Sequence, residues 1–215
     1  MKIQHRAIQD EQKMERRQEI LAAAQKLLED NGPNLPAVQD IATQAGMAKG
    51  TVYLYFKTKE EIFFSLLEIQ VQKWLDEIDK VLEGAPNEVS VDQVVSVLYQ
   101  YVLNRPYVLH LTNIFYGVLQ PKISPKAVSR YQRNIAKRVY KGGRSIERVF
   151  PTLKNGQGFH LLLSSYALMV GFWQLAEPVS TALPAVKLVG IVIDFNFEKD
   201  LKEALSRLWK GSLTP

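Results

Sequence analysis

The chain contains no cysteine, and this absence excludes disulfide bonds and metal sites built on thiolates. It has only three histidines, His5, His110 and His160, which are too scattered to form a metal-binding motif. The sequence also lacks a Gly-x-Ser-x-Gly motif, a His-Glu-x-x-His motif and a nucleotide-binding loop. We therefore expect no cofactor, no metal ion and no enzymatic activity.

Signals for secretion and for membrane insertion are missing as well. Residues 1–19 are charged throughout and have no apolar centre, so they do not resemble a secretory signal. The longest apolar run, residues 161–176, is shorter than the roughly 20 residues of a membrane span and contains two serines. The sequence therefore predicts a buried helix at this run, in a cytoplasmic protein without membrane contact.

Strand patterns are scarce, whereas helical periodicity runs through the chain and predicts an all-α fold. Thr58 and Glu61 have the spacing of a capping box at the start of one helix. We expect residues 178–193, which are rich in valine and isoleucine, to form a loop and a short helix. The predicted helices are at about 11–30, 37–44, 48–55, 58–82, 90–104, 107–119, 125–150 and 158–176, with a final one after Asn196.

Residues 46–59, GMAKGTVYLYFKTK, allow three interpretations: a nucleotide-phosphate loop, a strand or part of a helix-turn-helix. A phosphate loop needs lysine directly after its second glycine, and here lysine precedes that glycine. The alternation of Val52, Leu54 and Phe56 suits a strand. However, residues 38–45 have apolar positions at i, i+3, i+4 and i+7 and end at a glycine, as a short helix does. Two short helices joined by a glycine turn favour a helix-turn-helix, whose second helix enters the DNA major groove.

Residues 41–63, IATQAGMAKGTVYLYFKTKEEIF, resemble the signature of TetR-type bacterial transcriptional repressors. The resemblance extends over about residues 13–65 and implies an N-terminal three-helix helix-turn-helix domain at 1–58, with 1–10 as a flexible arm. A larger helical domain for effector binding and dimerisation would follow at 59–215. The matching positions are Ile41, Ala42, Ala45, Gly46, Gly50, Thr51, Tyr53, Tyr55, Phe56, Lys59 and Glu60.

The resemblance implies a repressor that binds a palindromic operator in double-stranded DNA as a homodimer and is released by a small, largely apolar effector. The alternative is a DNA-binding dimer that has no effector, or one that a protein partner regulates. The family usually places Thr or Ser before the second helix, whereas this chain has Pro36 and Ala37, so that phosphate contact is expected to be absent or moved to Asn34. The implied DNA-contacting residues are Gln39, Lys49, Gly50, Thr51, Tyr53, Tyr55 and Lys59.

Positive charge is concentrated away from the expected DNA-binding domain. Residues 1–60 contain 9 basic and 8 acidic residues, whereas residues 122–154 contain ten basic residues and one acid, Glu147. Eight of these basic residues step by three or four and form one stripe on the helix predicted at 125–150. This basic stripe is either a solvated face, a site for a polyanion or acidic partner, or the entry for an anionic effector. Its members are Lys122, Lys126, Arg130, Arg133, Lys137, Lys141, Arg144 and Arg148.

Aromatic and small residues in the second domain suggest a ligand pocket and a dimer interface. Aromatic side chains between helices can line an apolar cavity, and His110 and Asn113 would supply polar groups to it. The expected ligand-binding residues are Tyr99, His110, Asn113, Phe115, Tyr116, Phe172 and Trp173. By resemblance, the last two long helices form a four-helix bundle with a second copy. The expected interface residues are Leu162, Ser165, Tyr166, Met169, Leu201, Leu205 and Leu208.

Overall fold

The computed structural model describes residues 2–32, 34–86, 88–176 and 195–214. No strand occurs among these residues, and the predicted all-α fold is confirmed. The predicted loop and short helix at 178–193 lie outside the described residues. The α-helices are α1 (Lys2–Asn31), α2 (Val38–Gln44), α3 (Lys49–Tyr53), α4 (Lys59–Val81), α5 (Val91–Leu103), α6 (Pro106–Asn113), α7 (Pro125–Val149), α8 (Gln157–Ala176) and α9 (Phe197–Leu213).

Two helices differ from their predicted bounds. The first begins at Lys2, so residues 2–10, expected as a flexible arm, are helical. This extension, KIQHRAIQD, has no glycine or proline to interrupt a helix. The helix predicted at 107–119 ends at Asn113 and is followed by a π-helix, Phe115–Leu119, and a 3₁₀ turn, Gln120–Lys122. Leu119 N–H donates to Ile114 O at 3.3 Å, and this five-residue step widens the helix.

The chain divides into two compact units. One consists of Met1–Gln70 and Ile114–Val128, and the other of Val71–Asn113 and Ser129–Pro215. Helix α4 contributes residues to both units because it runs without interruption across Gln70. The predicted division into domains at 58 and 59 stays a prediction.

The core of the first unit lies where α1, α2 and α4 meet. Ile20 on α1, Ile41 on α2 and Ile62 on α4 are fully buried. Polar contacts tie α1 to α4 beside this core, since Gln70 Nε2 donates to Gln25 Oε1 at 3.1 Å. Each of these three isoleucines belongs to the apolar face of its own helix. Burial of the three apolar faces against one another stabilises the unit.

The core of the second unit is built where α9 packs on α5 and α8. Leu201, Leu205 and Trp209 of α9 are fully buried. Trp209 Nε1 donates to Ser165 Oγ at 3.0 Å, and Ser165 Oγ donates to Leu161 O at 2.8 Å. The buried indole N–H therefore has an acceptor, which removes the cost of burying an unpaired donor.

Helices α7 and α8 cross with their backbones in close contact at two glycines. A Cβ placed on Gly143 would lie 2.5 Å from Phe159 N, and one on Gly158 would lie 2.9 Å from Gly143 C. Glu147 holds the turn between the two helices, because its Oε1 accepts from Gly156 N at 2.7 Å and from Gly158 N at 3.1 Å. Only glycine fits at positions 143 and 158 in this packing.

Candidate nucleic-acid interface

A glycine turn sets the angle between α2 and α3. Gly46 has φ of +64°, in the left-handed region that favours glycine. Gly46 N–H donates to Thr43 O at 3.1 Å, and Met47 N–H donates to Ala42 O at 2.9 Å. These bonds end α2 and place α3 three residues further on. The helix-turn-helix predicted from this glycine is present.

Two apolar side chains anchor α3 and the turn after it. Val52 is 1% exposed and Phe56 is 2% exposed, as expected for core residues. The Arg17 guanidinium lies 4.3 Å from the centre of the Phe56 ring and donates to Ser65 Oγ at 2.8 Å. The sequence gives no signal for this role of Arg17, because its partners lie far along the chain, in the turn after α3 and on α4. By contacting both, Arg17 helps to hold that turn in position.

The opposite face of this helix pair is open and mostly polar. The seven expected DNA-contacting residues all lie in the first unit. Tyr53 is 47% exposed, and Tyr55, in the turn after α3, is half-buried. Of the others, the exposed residues are Gln39, Lys49 and Gly50, and the half-buried ones are Thr51 and Lys59. The structure thus brings the set together on one compact unit, and their contacts with DNA stay predictions.

Gly50 is a glycine that the packing of the chain does not require. A Cβ built on it meets nothing within 4 Å, and its φ is not positive. Glycine inside a helix is unfavourable by about 0.5–1 kcal/mol relative to alanine. A requirement for glycine at this position would therefore come from a partner that approaches the backbone of α3.

The start of α2 lacks the hydroxyl that the family usually has there. Ala37 occupies the N-cap position and its methyl group cannot accept a hydrogen bond. Asp40 compensates in part, because its carboxylate accepts from Ala37 N–H at 3.3 Å. Asn34 is exposed, and a phosphate contact from it stays a prediction.

The start of α4 is capped much as the sequence predicts. Glu61 N–H donates to Thr58 Oγ1 at 3.2 Å. The Glu61 carboxylate reaches back one residue further than in a standard capping box, because it accepts from Lys57 N–H at 2.7 Å. These bonds fix the position of Lys59, the first residue of α4.

Leu54 is an exposed apolar residue that the sequence did not single out. It is 78% exposed and forms the C-cap of α3, between Tyr53 and Tyr55. Alternating with Val52 and Phe56 in the sequence, it has the pattern of a core residue. It is exposed because successive residues of a helical turn, unlike those of a strand, point in directions about 100° apart.

The expected ligand-binding residues do not all lie in one unit. Phe115 and Tyr116 belong to the first unit, and the other five belong to the second. Phe115 is 5% exposed and stacks on Phe64 with ring centres 5.9 Å apart, whereas Tyr116 is 67% exposed. Tyr116 thus lies at the surface of its unit, because it is in the widened π-helix beside exposed Gly117.

Within the second unit, the C-terminal part of α8 is surrounded by aromatic and polar groups. Gln174 Nε2 donates to Asn113 Oδ1 at 2.8 Å, which joins α8 to the end of α6. Phe172 lies 5.6 Å from Phe195, and Trp173 lies 5.5 Å from Phe197, measured between ring centres. The two remaining members of the set are Tyr99, which is buried, and His110, which is half-buried.

Two indole N–H groups in the second unit are buried without an acceptor among the described residues. They are Trp74 Nε1 on α4 and Trp173 Nε1 on α8. A buried donor without an acceptor costs about 1–3 kcal/mol, so natural proteins retain few of them. Either group can donate to a bound molecule that carries an oxygen acceptor.

The expected dimer-interface residues differ in their exposure within one chain. Leu162, Ser165, Met169, Leu201 and Leu205 are at most 6% exposed and pack in the core of the chain. Tyr166 is 40% exposed and Leu208 is half-buried. The interface stays a prediction.

Helix α8 also differs from the buried helix expected at residues 161–176. It is long and apolar enough to cross a membrane by those two criteria alone, and most of it is not buried within the chain. Leu163 is 47% exposed and Leu175 is 69% exposed. Among the described residues, α6, α7 and α9 pack on one face of α8. Leu163 and Leu175 lie outside that packing and form part of an exposed apolar surface.

Two family models match the chain. Residues 20–66 match the model of bacterial regulatory proteins of the tetR family, and residues 68–215 match that of the tetracyclin repressor-like C-terminal domain. The HTH-type transcriptional regulator QacR of Staphylococcus aureus is 25% identical over 201 residues, which are 93% of this chain and 95% of QacR. The fatty acid metabolism regulator protein of Bacillus subtilis is 38% identical over 69 residues. That match spans 32% of this chain and 36% of that regulator.

Solved structures share the fold. A transcriptional regulator of the TetR/AcrR family from Thermobifida fusca has a TM-score of 0.61 and 18% identity, covering 92% of this chain and 98% of its own. The regulator FadR from Bacillus subtilis, in complex with stearoyl-CoA, has a TM-score of 0.55 and 20% identity, covering 90% and 97%. At these identities the similarity shows that the arrangement of helices is shared. Stearoyl-CoA is a ligand of the Bacillus subtilis FadR in that structure.

Proposed function

Because the chain belongs to the tetR family of bacterial transcriptional regulators, we propose that it is a cytoplasmic repressor that binds a palindromic operator as a homodimer. The observation that carries this proposal is the exposed polar face of α2 and α3. Gln39, Lys49 and Tyr53 are exposed there, while Val52 and Phe56 fix the helix from behind. A helix presented in this way can enter the major groove and read base edges.

Selection of bound duplexes from a random pool, at near-physiological salt, tests this function. Two copies related by a twofold axis read two half-sites, so the recovered sequences should contain an inverted repeat. Half-sites one or more helical turns apart are expected, about 34–36 Å per turn. Recovery of no inverted repeat, or binding to selected and scrambled duplexes with equal affinity, would contradict the proposal.

The dimer in this proposal uses the exposed apolar surface of α8. Leu163 and Tyr166 lie three residues apart on one face of the helix and are 47% and 40% exposed. Two such faces can bury each other around a twofold axis, as in isologous dimers. The proposed interface contains Leu163 and Tyr166. Tyr166 is also expected from the sequence, whereas the five buried residues of that expected set lie outside this interface.

We expect Leu163→Glu to convert the dimer into a monomer and to weaken operator binding strongly. Bringing two carboxylates into an apolar interface is unfavourable because neither has a partner there. Sedimentation velocity and a binding titration measure the two effects. Val118→Glu is the matched control, since Val118 is 45% exposed on the π-helix and should leave the dimer intact. A dimeric Leu163→Glu protein would exclude this face as the interface.

The effector in this proposal is a small, largely apolar molecule with one polar acceptor group. Trp74 Nε1 and Trp173 Nε1 support it, because each is a buried donor that such a group can satisfy. Helix α4 contributes to both units and begins at Lys59, so it is the proposed route from effector to recognition helix. The effector must favour the released state by a coupling free energy of about 1–3 kcal/mol.

Titration of the operator complex with candidate effectors tests this part of the proposal. Small apolar compounds with one oxygen acceptor are tried first, and stearoyl-CoA, which is present in the FadR structure of the same fold, serves as a larger and charged comparison ligand. Release of DNA together with a higher melting temperature would identify an effector. An operator-binding protein that no apolar compound stabilises would favour the alternative, a DNA-binding dimer without an effector or with a protein partner as its regulator.

A further inference from the structure

The structure separates six of the eight cations of the basic stripe into three that have partners, the paired half, and three that have none among the described residues, the unpaired half. In the paired half, Lys141 Nζ lies 3.7 Å from Asp79 Oδ2, and Arg144 Nη1 lies 2.9 Å from Glu147 Oε2. Arg148 donates to the main-chain oxygens of Leu82 and Gly84. These contacts stabilise the second unit, and they occupy part of the hydrogen-bonding and charge capacity of the three side chains.

In the unpaired half, Lys126, Arg133 and Lys137 are exposed and have no hydrogen bond or ion pair within the described part of the chain. They lie at i, i+7 and i+11 on α7, so they share one side of the helix. Tyr140 is on the same side and is 63% exposed. We call these four residues the α7 cationic face.

We propose that the α7 cationic face binds the phosphates of duplex DNA. The proposal rests on the function proposed above. Lys126 and Lys137 are eleven residues apart, which is about 16 Å along a helix. A duplex carries one phosphate per about 3.4 Å along each strand, so a straight row of cations of this length faces about five phosphates.

The distribution of charge along the chain favours DNA as the occupant. Residues 1–60, which include the helix-turn-helix, carry 9 basic and 8 acidic residues. Release of counterions by basic side chains supplies much of the affinity of proteins for DNA. The α7 cationic face is a row of exposed basic side chains on one helix of the described structure, and it can release counterions in this way.

A lipid surface fits this face less well. A basic helix that binds membranes also inserts an apolar face into the bilayer. The apolar side of α7 is already used in the core, since Val128, Ile146 and Val149 are at most 6% exposed. The rigid helix thus presents cations and one tyrosine, and Tyr140 can pack on the sugar-phosphate backbone or donate to a phosphate through its hydroxyl.

The salt dependence of DNA binding tests the proposal with a matched pair of triple variants. The test variant is Lys126→Gln/Arg133→Gln/Lys137→Gln. The control variant, Lys73→Gln/Lys154→Gln/Lys199→Gln, removes the same charge from three exposed lysines outside α7. Each protein is titrated with a selected operator and with a scrambled duplex between about 50 and 200 mM salt. Equal melting temperatures establish that both variants are folded.

We expect the test variant to reduce the slope of log K against log salt by about 2 to 3 on both duplexes, because each phosphate contact contributes about 0.9. The control variant should retain nearly the wild-type slope. Equal slopes for the two variants would overturn the proposal. A wild-type protein that does not distinguish operator from scrambled duplex would instead contradict the proposed function, while a slope difference on the scrambled duplex would still support the α7 cationic face.

A vesicle-binding assay tests whether the α7 cationic face binds an anionic lipid surface instead of DNA. Wild-type protein is mixed with phosphatidylglycerol vesicles and with phosphatidylcholine vesicles, and co-sedimentation is measured. Binding to the anionic vesicles that the test variant loses, combined with unchanged salt slopes on DNA, would assign the face to lipid and overturn the proposal. No selective vesicle binding, together with the expected change in slope, supports DNA as the occupant.

Discussion

Gly50→Ala will weaken operator binding by about 5- to 150-fold while leaving the protein as stable as the wild type or more stable. The first effect follows from the proposed contact of α3 with DNA. A Cβ on Gly50 meets no atom of the chain within 4 Å, so it would point into the space that the duplex occupies. Loss of one well-formed contact with a base costs about 1–3 kcal/mol, which is this range in affinity.

The second effect follows from the helix itself. Gly50 is the second residue of α3 and has ordinary helical geometry. Alanine lowers the conformational entropy of the unfolded chain and is favoured in helices by about 0.5–1 kcal/mol. Gly50→Ala should therefore raise the melting temperature slightly. A substitution that raises stability but weakens DNA binding identifies a glycine needed for binding, whereas loss of stability identifies one needed for the fold.

A fluorescence anisotropy titration with the selected operator and a thermal melt measure these effects. Gly211→Ala is the matched control, because Gly211 is exposed on α9 and a Cβ there also meets nothing within 4 Å. It should gain similar stability and keep wild-type affinity. Unchanged affinity in Gly50→Ala would show that DNA does not approach the backbone at this position.

The helix-turn-helix could be predicted from the sequence because its signals are local. Gly46 marks the turn, and the apolar positions of 38–45 mark the buried side of α2. Val52 and Phe56, which alternate with Leu54 in the sequence, are both buried. Leu54 shows the limit of this reasoning, since apolar character alone did not reveal its 78% exposure.

The dimer interface could not be predicted in the same way because it depends on which neighbours cover each helix. Ser165 is among the interface residues that the sequence suggests. It accepts a hydrogen bond from Trp209 Nε1, which is 44 residues away in the chain. The apolar pattern of α8 and α9 identifies residues that must be covered, but it does not state whether the same subunit or a second copy covers them.

The basic stripe illustrates the same limit for charged residues. Its periodicity predicts that the cations share one side of a helix, and Lys126, Arg133 and Lys137 do lie on one side of α7, whereas Lys122 lies in the 3₁₀ turn before it. The periodicity does not indicate that Arg148 donates to main-chain oxygens of Leu82 and Gly84, or that Arg144 forms an ion pair with Glu147. Only the tertiary contacts separate the paired cations from Lys126, Arg133 and Lys137.

Gly158→Ala will destabilise the second unit by about 3 kcal/mol or more and lower the melting temperature by about 6–12 °C. The added Cβ would lie within contact distance of Gly143 O and 2.9 Å from Gly143 C. Both are backbone atoms of α7, so relief requires a shift of a whole helix rather than of one side chain. Such a shift would also lengthen the bond between Gly158 N–H and Glu147 Oε1, which is 3.1 Å.

A graded series of glycine substitutions separates this close approach from the general effect of adding a methyl group. At Gly142 the nearest atom to a Cβ is Leu162 Cδ1 at 3.1 Å, the end of a flexible side chain, so Gly142→Ala should change stability by less than about 1 kcal/mol. Gly211→Ala should be neutral or stabilising. Denaturant unfolding of the three variants gives the order. A Gly158→Ala protein as stable as Gly211→Ala would show that α7 and α8 do not meet through their backbones, whereas a large loss confined to position 158 would identify the crossing as the glycine-dependent contact of this unit.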